Sequence, residues 1–283
     1  MAARAEQVAA ALEDCLERWP GRGAAGVALS SGTLTSAGPV EQPFAWASVT
    51  KLLVSQACLV AVEEMIVRLD DPCGPDGSTL AHLLAHTSGL PFEGAHPVAP
   101  PARRRIYSNT GIVLAAAHLA RSAGMPFDEY LRAGVLEPLG MHATHLTGSA
   151  AHSAVGPLAD LLRFARELLA PTLVSRVTWE LATTVAWPGL AGVVPGFGRY
   201  DNCDWGLGPE IRGTKSPHWT GKRNSPTTFG HFGQAGSLLW VDPEAEVALA
   251  GLGATPFGPW AKELWPALAD AVLAWRADAC TGA

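Results

Sequence analysis

Ser48 and Lys51 stand three residues apart in Ser48-Val49-Thr50-Lys51, at the start of a long apolar stretch. On a helix these positions share a face, so the lysine amine would lie beside the serine hydroxyl. A serine hydroxyl is a poor nucleophile at neutral pH and must lose its proton as it attacks a carbonyl carbon. Lysine ordinarily titrates at about 10.4 and, as a cation, cannot accept that proton. Burial among Leu52, Leu53 and Val54, and the positive end of a helix beginning near Ser48, both act to lower that value. The same helix start would aim backbone N–H groups at a developing oxyanion.

Two further elements follow in order. Tyr107-Ser108-Asn109 precedes an apolar run from Gly111 to Leu119 that reads as a helix. A tyrosine hydroxyl near a lysine ammonium ionises more easily and can serve as a second acid/base group, and Asn109 can hydrogen-bond a substrate carbonyl. His231-Phe232-Gly233 lies within Thr228 to Asp242, whose alternation and aromatic content predict a strand edging the site and returning as a hairpin.

With these three elements in order, the chain resembles the serine β-lactamase and penicillin-binding-protein superfamily, nearest to its class C branch and the related carboxylesterases. Leu83-Leu84-Ala85-His86-Thr87-Ser88-Gly89-Leu90, Leu136-Glu137-Pro138-Leu139-Gly140-Met141 and the strand pair around Trp240-Val241-Asp242-Pro243 extend the resemblance over nearly the whole chain. It implies an α/β (α+β) fold of the β-lactamase/transpeptidase type, an antiparallel sheet flanked by N- and C-terminal helices with an inserted all-α region. It also implies that Ser48 is acylated, Lys51 assists its deprotonation, Tyr107 shuttles protons and Asn109 orients the substrate. His231, Gly233 and Gln234 would edge the substrate, with the N–H groups of Ser48 and Gln234 as the oxyanion hole. One departure bears on substrate: class C enzymes carry Lys-Thr-Gly where this chain has His231-Phe232-Gly233. A histidine is mostly neutral at pH 7 and anchors a carboxylate weakly.

Trp219 sits in the polar loop from Lys215 to Asn224 and is as good a candidate for lining the acyl or leaving-group pocket as for packing beneath it. His218, Lys222 and Arg223 share that loop and are candidates to replace the missing lysine. Arg103-Arg104-Arg105 precedes Tyr107 and would attract an anionic substrate if it lay at the cleft mouth. His82 and His86 share an i, i+4 spacing, but no H-E-x-x-H arrangement or third ligand accompanies them, so no metal is expected and no cofactor is implied. For His86 a place at a helix C-terminus ahead of Gly89 fits better.

The chain has 283 residues, 48% of them hydrophobic, and a formal net charge of −6. That length suits one large domain or two interleaved ones, and the negative charge argues against a nucleic-acid surface. Glu6, Glu13 and Asp14 interrupt the N-terminal segment where a secretory signal needs an apolar core, and Glu63 and Glu64 break the best apolar run, Leu52 to Val67. Cys15, Cys58, Cys73, Cys203 and Cys280 show no C-x-x-C spacing and read as reduced thiols. A cytoplasmic protein without a membrane partner is expected.

Helices are expected at 4–18, 49–68, 79–86, 111–122, 127–135, 158–169 and 259–275, with strands at 25–30, 33–37, 229–232, 236–241 and 246–252. Residues 1–73 and 217–283 would form a discontinuous sheet domain, and 74–216 a mainly helical one without a sustained strand, with the active site between them. Short loops such as Gly74 to Thr79 imply an open cleft or a second subunit that covers it. The sequence contains no G-x-S-x-G elbow, Walker A loop or G-x-G-x-x-G after a strand. The expected activity is hydrolysis of a small-molecule ester or amide, or transfer of its acyl group, through Ser48, with ester chemistry favoured. β-Lactamase or D-amino-acid peptidase activity is the alternative, and a non-catalytic binding relative is the rival from another class.

Overall fold

A computed structural model describes residues 2–281, with side-chain surroundings for 6–276. Helix α1 (Ala2–Arg18) leads into the hairpin of β1 (Gly23–Leu29) and β2 (Gly32–Ala37). Strand β3 (Pro43–Ala45) and a 3-10 turn (Ala47–Val49) then deliver the chain into α2 (Thr50–Glu63). Helices α3 (Leu80–Leu84), α4 (Asn109–Ala123) and α5 (Phe127–Leu131) follow, the last continuing as a π-helical turn over Arg132–Leu136. Short strands β4 (His145–Leu146) and β5 (Ala154–Pro157) precede α6 (Leu158–Leu169) and α7 (Arg176–Thr183). Strands β6 (Gly192–Val194), β7 (Gly198–Tyr200), β8 (Glu210–Ile211), β9 (Phe229–Gly233), β10 (Ser237–Asp242) and β11 (Val247–Gly253) lead to α8 (Pro259–Thr281).

Both ends of the chain build one antiparallel sheet, in the order β2-β1-β11-β10-β9-β8. Its centre pairs Gly23 with Gly253 and Ala28 with Ala248. Helices α1 and α8 cover one face, packing Val8, Leu12, Trp19, Leu264 and Trp265 against Leu238, Trp240 and Leu249. On the other face Leu161, Leu162 and Ala165 of α6 join Leu239, Val241 and Ala250 in the larger core, which also holds α2. Coverage on both faces leaves every residue of β10 and β11 buried, which is why these strands read as continuous apolar runs. The expected fold, an antiparallel sheet flanked by terminal helices with a helical insertion, is the observed one.

Four local differences have physical causes. Helix α2 ends at Glu63 rather than near 68, because Met65 takes a left-handed φ of 60° and the N–H groups of Ile66 and Val67 fold back onto the Ala61 carbonyl. Helix α4 starts at Asn109, two residues early, since the Ser108 hydroxyl accepts the Gly111 N–H at 3.0 Å and caps it. Helix α7, unforeseen, is one short amphipathic piece burying only Trp179 and Ala182. Between residues 74 and 216 the helices are accompanied by strands of two to four residues, too short for any alternation to show. Of these, β5 pairs with β3, and β8 extends the main sheet although it precedes residue 217.

Cys15, Cys58, Cys73 and Cys203 are unpaired and buried, while the side chain of Cys280 lies outside the described residues. Among the described residues no helix is long and apolar enough to cross a membrane.

Candidate active site

The turn carrying Ser48 is held from three directions. Trp46 donates its backbone N–H to Ala154 O at 2.8 Å and its indole N–H to Gly156 O at 3.1 Å, tying the turn to β5. Ser237 of β10 donates its hydroxyl to Trp46 O at 2.6 Å. Strand β9 presses in so closely that a Cβ at Gly233 would lie 2.5 Å from Trp46 O and 2.4 Å from Ser237 Oγ. Glycine at 233 is therefore a requirement of close approach. Gly233→Ala is expected to push the turn away from β9 and lower kcat/KM by about 10²-fold, the scale of a lost oxyanion donor, at a stability cost of about 1–3 kcal/mol. Kinetics and a thermal melt measure both effects, and an unchanged kcat/KM would show that this contact does not hold the turn.

Lys51 is fully buried, and burial lowers its pKa from 10.5 to about 7 against the opposing pull of Glu93. Its Nζ lies 2.7 Å from Asn109 Oδ1, 2.9 Å from Ala151 O and 3.2 Å from Ser48 Oγ. The first two are carbonyl oxygens that only accept, so two N–H bonds are committed to them. The third tetrahedral position faces Ser48 and carries a proton in the ammonium and a lone pair in the amine. A group titrating near neutrality beside a half-buried serine is arranged for proton acceptance.

Asn109 is used on both sides of its amide, accepting from Lys51 and donating to Glu93 Oε1 at 2.7 Å. Its place is thus beside the lysine, fixing that amine's orientation. Tyr107 is buried, and its hydroxyl finds no hydrogen-bond partner among the described residues. The Lys51 nitrogen lies 4.8 Å from the centre of the Tyr107 ring, over its face. The expected easing of tyrosine ionisation is reversed: burial pushes the phenol well above its usual value, and the nearby Ser48 hydroxyl offsets this only in part. Tyr107 remains a proton donor at neutral pH.

His231 donates from Nδ1 to its neighbour's carbonyl, Phe232 O, at 2.7 Å, which leaves Nε2 as the lone-pair nitrogen. Burial first, then the Lys51 charge, lowers its pKa to about 3, so it is uncharged at pH 7. Ser48, Tyr107, Trp205, His231 and Gln234 line a cavity of about 100 Å³, and Gln234 opens the turn after β9. The structure therefore brings Ser48, Lys51, Tyr107, Asn109, His231, Gly233 and Gln234 together.

Trp219 is the exception. It packs beneath the cleft against Phe232, ring centres 5.6 Å apart, and donates its indole N–H to Glu210 Oε2 at 2.6 Å. His218 is likewise committed, with Nε2 3.1 Å from Glu210 Oε1, and exposed Lys222 and Arg223 do not line the cavity. That loop supplies no replacement for the missing cation. Arg104 and Arg105 both line a cavity beside the site, but Arg105 is buried and its guanidinium is already committed to the carbonyls of Ala85, Ala186 and Cys203. His82 accepts the Thr79 N–H at the start of α3, and the His86 ring packs at a tilt against Tyr107 with centroids 4.7 Å apart.

Glu210, unforeseen from sequence, is a buried carboxylate in the cavity wall. Burial opposes its ionisation, but His218 and Lys215, with hydrogen bonds from the His218 and Trp219 rings, outweigh it and hold the carboxyl at about 2. Phe92, Val194, Pro195 and Trp205 were also missed as lining residues.

A sandwiched antiparallel sheet and a Ser-x-x-Lys pair beneath a tyrosine define the class of β-lactamase-like serine hydrolases. The Beta-lactamase family model matches residues 27–273, and the chain belongs to that family. It is 50% identical to a beta-lactamase from Mycobacterium bovis, over 94% of this chain and 99% of that one, with a TM-score of 0.92. It is 31% identical over 140 residues to the D-alanyl-D-alanine-carboxypeptidase/endopeptidase AmpH of Escherichia coli K12, covering 36% of each protein. The chain thus matches about a third of the length of the curated relatives it resembles. EstCE1, a hydrolase with promiscuous acyltransferase activity, shares the fold at a TM-score of 0.76 and 17% identity, over 95% of this chain and 98% of that one.

Proposed function

We propose that this protein hydrolyses carboxylic esters, or transfers their acyl group to an alcohol or amine, through a covalent acyl-enzyme on Ser48. The carrying observation is the near-neutral Lys51 amine aimed at Ser48 with its other two N–H bonds already committed. Ser48 Oγ attacks the carbonyl carbon as its proton passes to Lys51 Nζ. The N–H groups of Ser48 and Gln234 hold the oxyanion. Tyr107 donates its proton to the departing alkoxide oxygen, and the Lys51 ammonium restores it. Water, an alcohol or an amine then attacks the acyl carbonyl and gives up a proton to Lys51 Nζ, which passes it to the departing Ser48 Oγ as the acyl–oxygen bond breaks, restoring the serine hydroxyl and the lysine amine.

Ester substrates are favoured because His231 stands uncharged where a lysine would anchor a carboxylate next to the scissile bond. The similarity of EstCE1 in fold is consistent with that chemistry. A second reading, opening of a β-lactam or cleavage of a D-amino-acid peptide, draws support from the M. bovis beta-lactamase and from AmpH. Intact-mass spectrometry on wild type and Ser48→Ala, each exposed to a short p-nitrophenyl ester and to a chromogenic cephalosporin, separates the two. The expected result is ester turnover with an acyl adduct that vanishes in Ser48→Ala, and no cephalosporin opening. Rapid Ser48-dependent cephalosporin opening would reverse the ranking, and no adduct from any acylating probe would indicate a binding protein.

A further inference from the structure

Next to the reaction chamber lies a larger cavity of about 770 Å³, and the two share Phe92, Tyr107 and Pro195 in their walls. Its lining is apolar at Phe92, Ile106, Val193 and Pro195, and its only charged lining residues are arginines: Arg104, Arg105 and Arg199. Carbonyl oxygens consume the Arg105 guanidinium. The other two are differently placed. Arg104 makes a single long bond, from Nη2 to Val98 O at 3.3 Å. Arg199 approaches a carboxylate only at 3.8 Å, that of Asp201, whose side chain is 95% exposed. Two guanidinium groups with uncommitted donors therefore face one cavity, in a chain whose net charge is −6.

Their relative placement is built in. Arg104 precedes the Tyr107 segment and Arg199 lies on β7, which pairs with β6. Between them, the Arg105 N–H donates to Ala191 O at 2.9 Å and Arg105 bridges to Gly192 of β6. The buried Arg105 side chain adds bonds to Ala186 O and Cys203 O, on either side of the hairpin. The two backbone segments are thus fastened to one another by the residue next to Arg104, and guanidinium groups borne on them suit the planar oxygens of a carboxylate or phosphate.

We propose that this outer cavity binds an anionic group carried by the substrate at the end of an apolar spacer. The scissile carbonyl sits at Ser48, the spacer runs past Phe92 and Pro195, and Arg104 and Arg199 hold the anion. The substrate class is an amphiphilic anionic ester whose charge is remote from the reacting bond, unlike a β-lactam with its carboxylate beside the ring. The assignment of the carbonyl to Ser48 rests on the reading under Proposed function, while the anion subsite stands on the cavity itself.

The test is equilibrium binding by calorimetry to Ser48→Ala, so that no turnover intervenes. The acyl-side ligand is mono-p-nitrophenyl adipate and the leaving-group-side ligand is the hexanoyl ester of 4-hydroxybenzoate, each compared with its neutral methyl ester. One of the anionic ligands is expected to bind about tenfold more tightly than its neutral partner, and which one does so identifies the half of the substrate in the outer cavity. That preference should disappear in the Ser48→Ala, Arg104→Ala, Arg199→Ala variant and weaken with rising salt, as an exposed charge contact must. Equal affinity for charged and neutral ligands, or a preference that survives removal of both arginines, would overturn the subsite. A preference that holds while wild type turns over neither ester would instead count against the catalytic reading alone.

Discussion

Lys51→Met is expected to lower kcat/KM for an activated ester by about 10²–10⁴-fold, the range of a lost general base. Methionine keeps the volume of the side chain in a fully buried position but has no nitrogen to take the Ser48 proton. In wild type only the free amine is competent, so kcat/KM should fall as pH drops below about 7, where Lys51 becomes protonated. That acid limb should be missing from the residual activity of the variant. A second readout is stability. The lysine titrates at about 7 in the fold and 10.5 ordinarily, so the unfolded chain holds more protons between those values. Stability accordingly rises with pH across that window, and below it the buried cation weakens the fold. Chemical denaturation at pH 7 and pH 10 should show this rise in wild type and a flatter response in Lys51→Met. Wild-type rates in the variant, or an unchanged acid limb, would remove Lys51 from the mechanism.

Glu210→Gln should cost about 3–5 kcal/mol, the penalty for breaking a buried ion pair from one side. The glutamate satisfies the rings of His218 and Trp219, and its Oε1 lies 3.5 Å from Lys215 Nζ, both side chains being almost fully buried. A neutral amide leaves the Lys215 charge with carbonyl oxygens alone, those of Asp204 and Ile211. The melting temperature is expected to drop by on the order of 10 °C. The sign with pH is also defined. With a folded pKa of about 2 against an ordinary 4.5, the carboxylate contributes fully above 4.5, and the contribution fades as pH falls toward 2. Wild type should lose stability across that acid window more steeply than Glu210→Gln. Because Glu210 also lines the reaction cavity, ester kinetics on the variant at low temperature would separate lost folding from lost chemistry.

What could be read in advance was whatever depended on local spacing. Ser48 and Lys51 share a helix face by arithmetic, and Asn109 falls beside them because Ser108 caps the helix that presents it. Strands β10 and β11 were visible because burial on both faces leaves long apolar runs. Contacts that only the tertiary fold creates were hidden. Tyr107 was expected beside the lysine charge, yet the amine lies over its ring face and burial decides its titration. Trp219, by its polar loop as good a candidate for the pocket lining as for packing beneath it, packs beneath, and the polarity of the loop serves Glu210. A signal for that cluster did exist, an acid followed within ten residues by Lys215, His218 and Trp219. Phe92 and Trp205 reach the cavity from loops without pattern, and no period could have placed them.

The pairing of β1 with β11 has a consequence for how the molecule comes into being. Gly23 meets Gly253, so the middle of the sheet closes only after the chain through Gly253 has left the ribosome. Such distant pairing is slow, since a very long loop must be ordered before any contact rewards it. Ser48, Lys51 and Tyr107 are all synthesised early, whereas Gly233, Gln234 and Ser237, which press on the serine turn and edge its cavity, come late. A nascent chain therefore carries Ser48, Lys51 and Tyr107 without the strand that sets their geometry until Gly233 to Ser237 have been made, so the candidate site is completed late in folding.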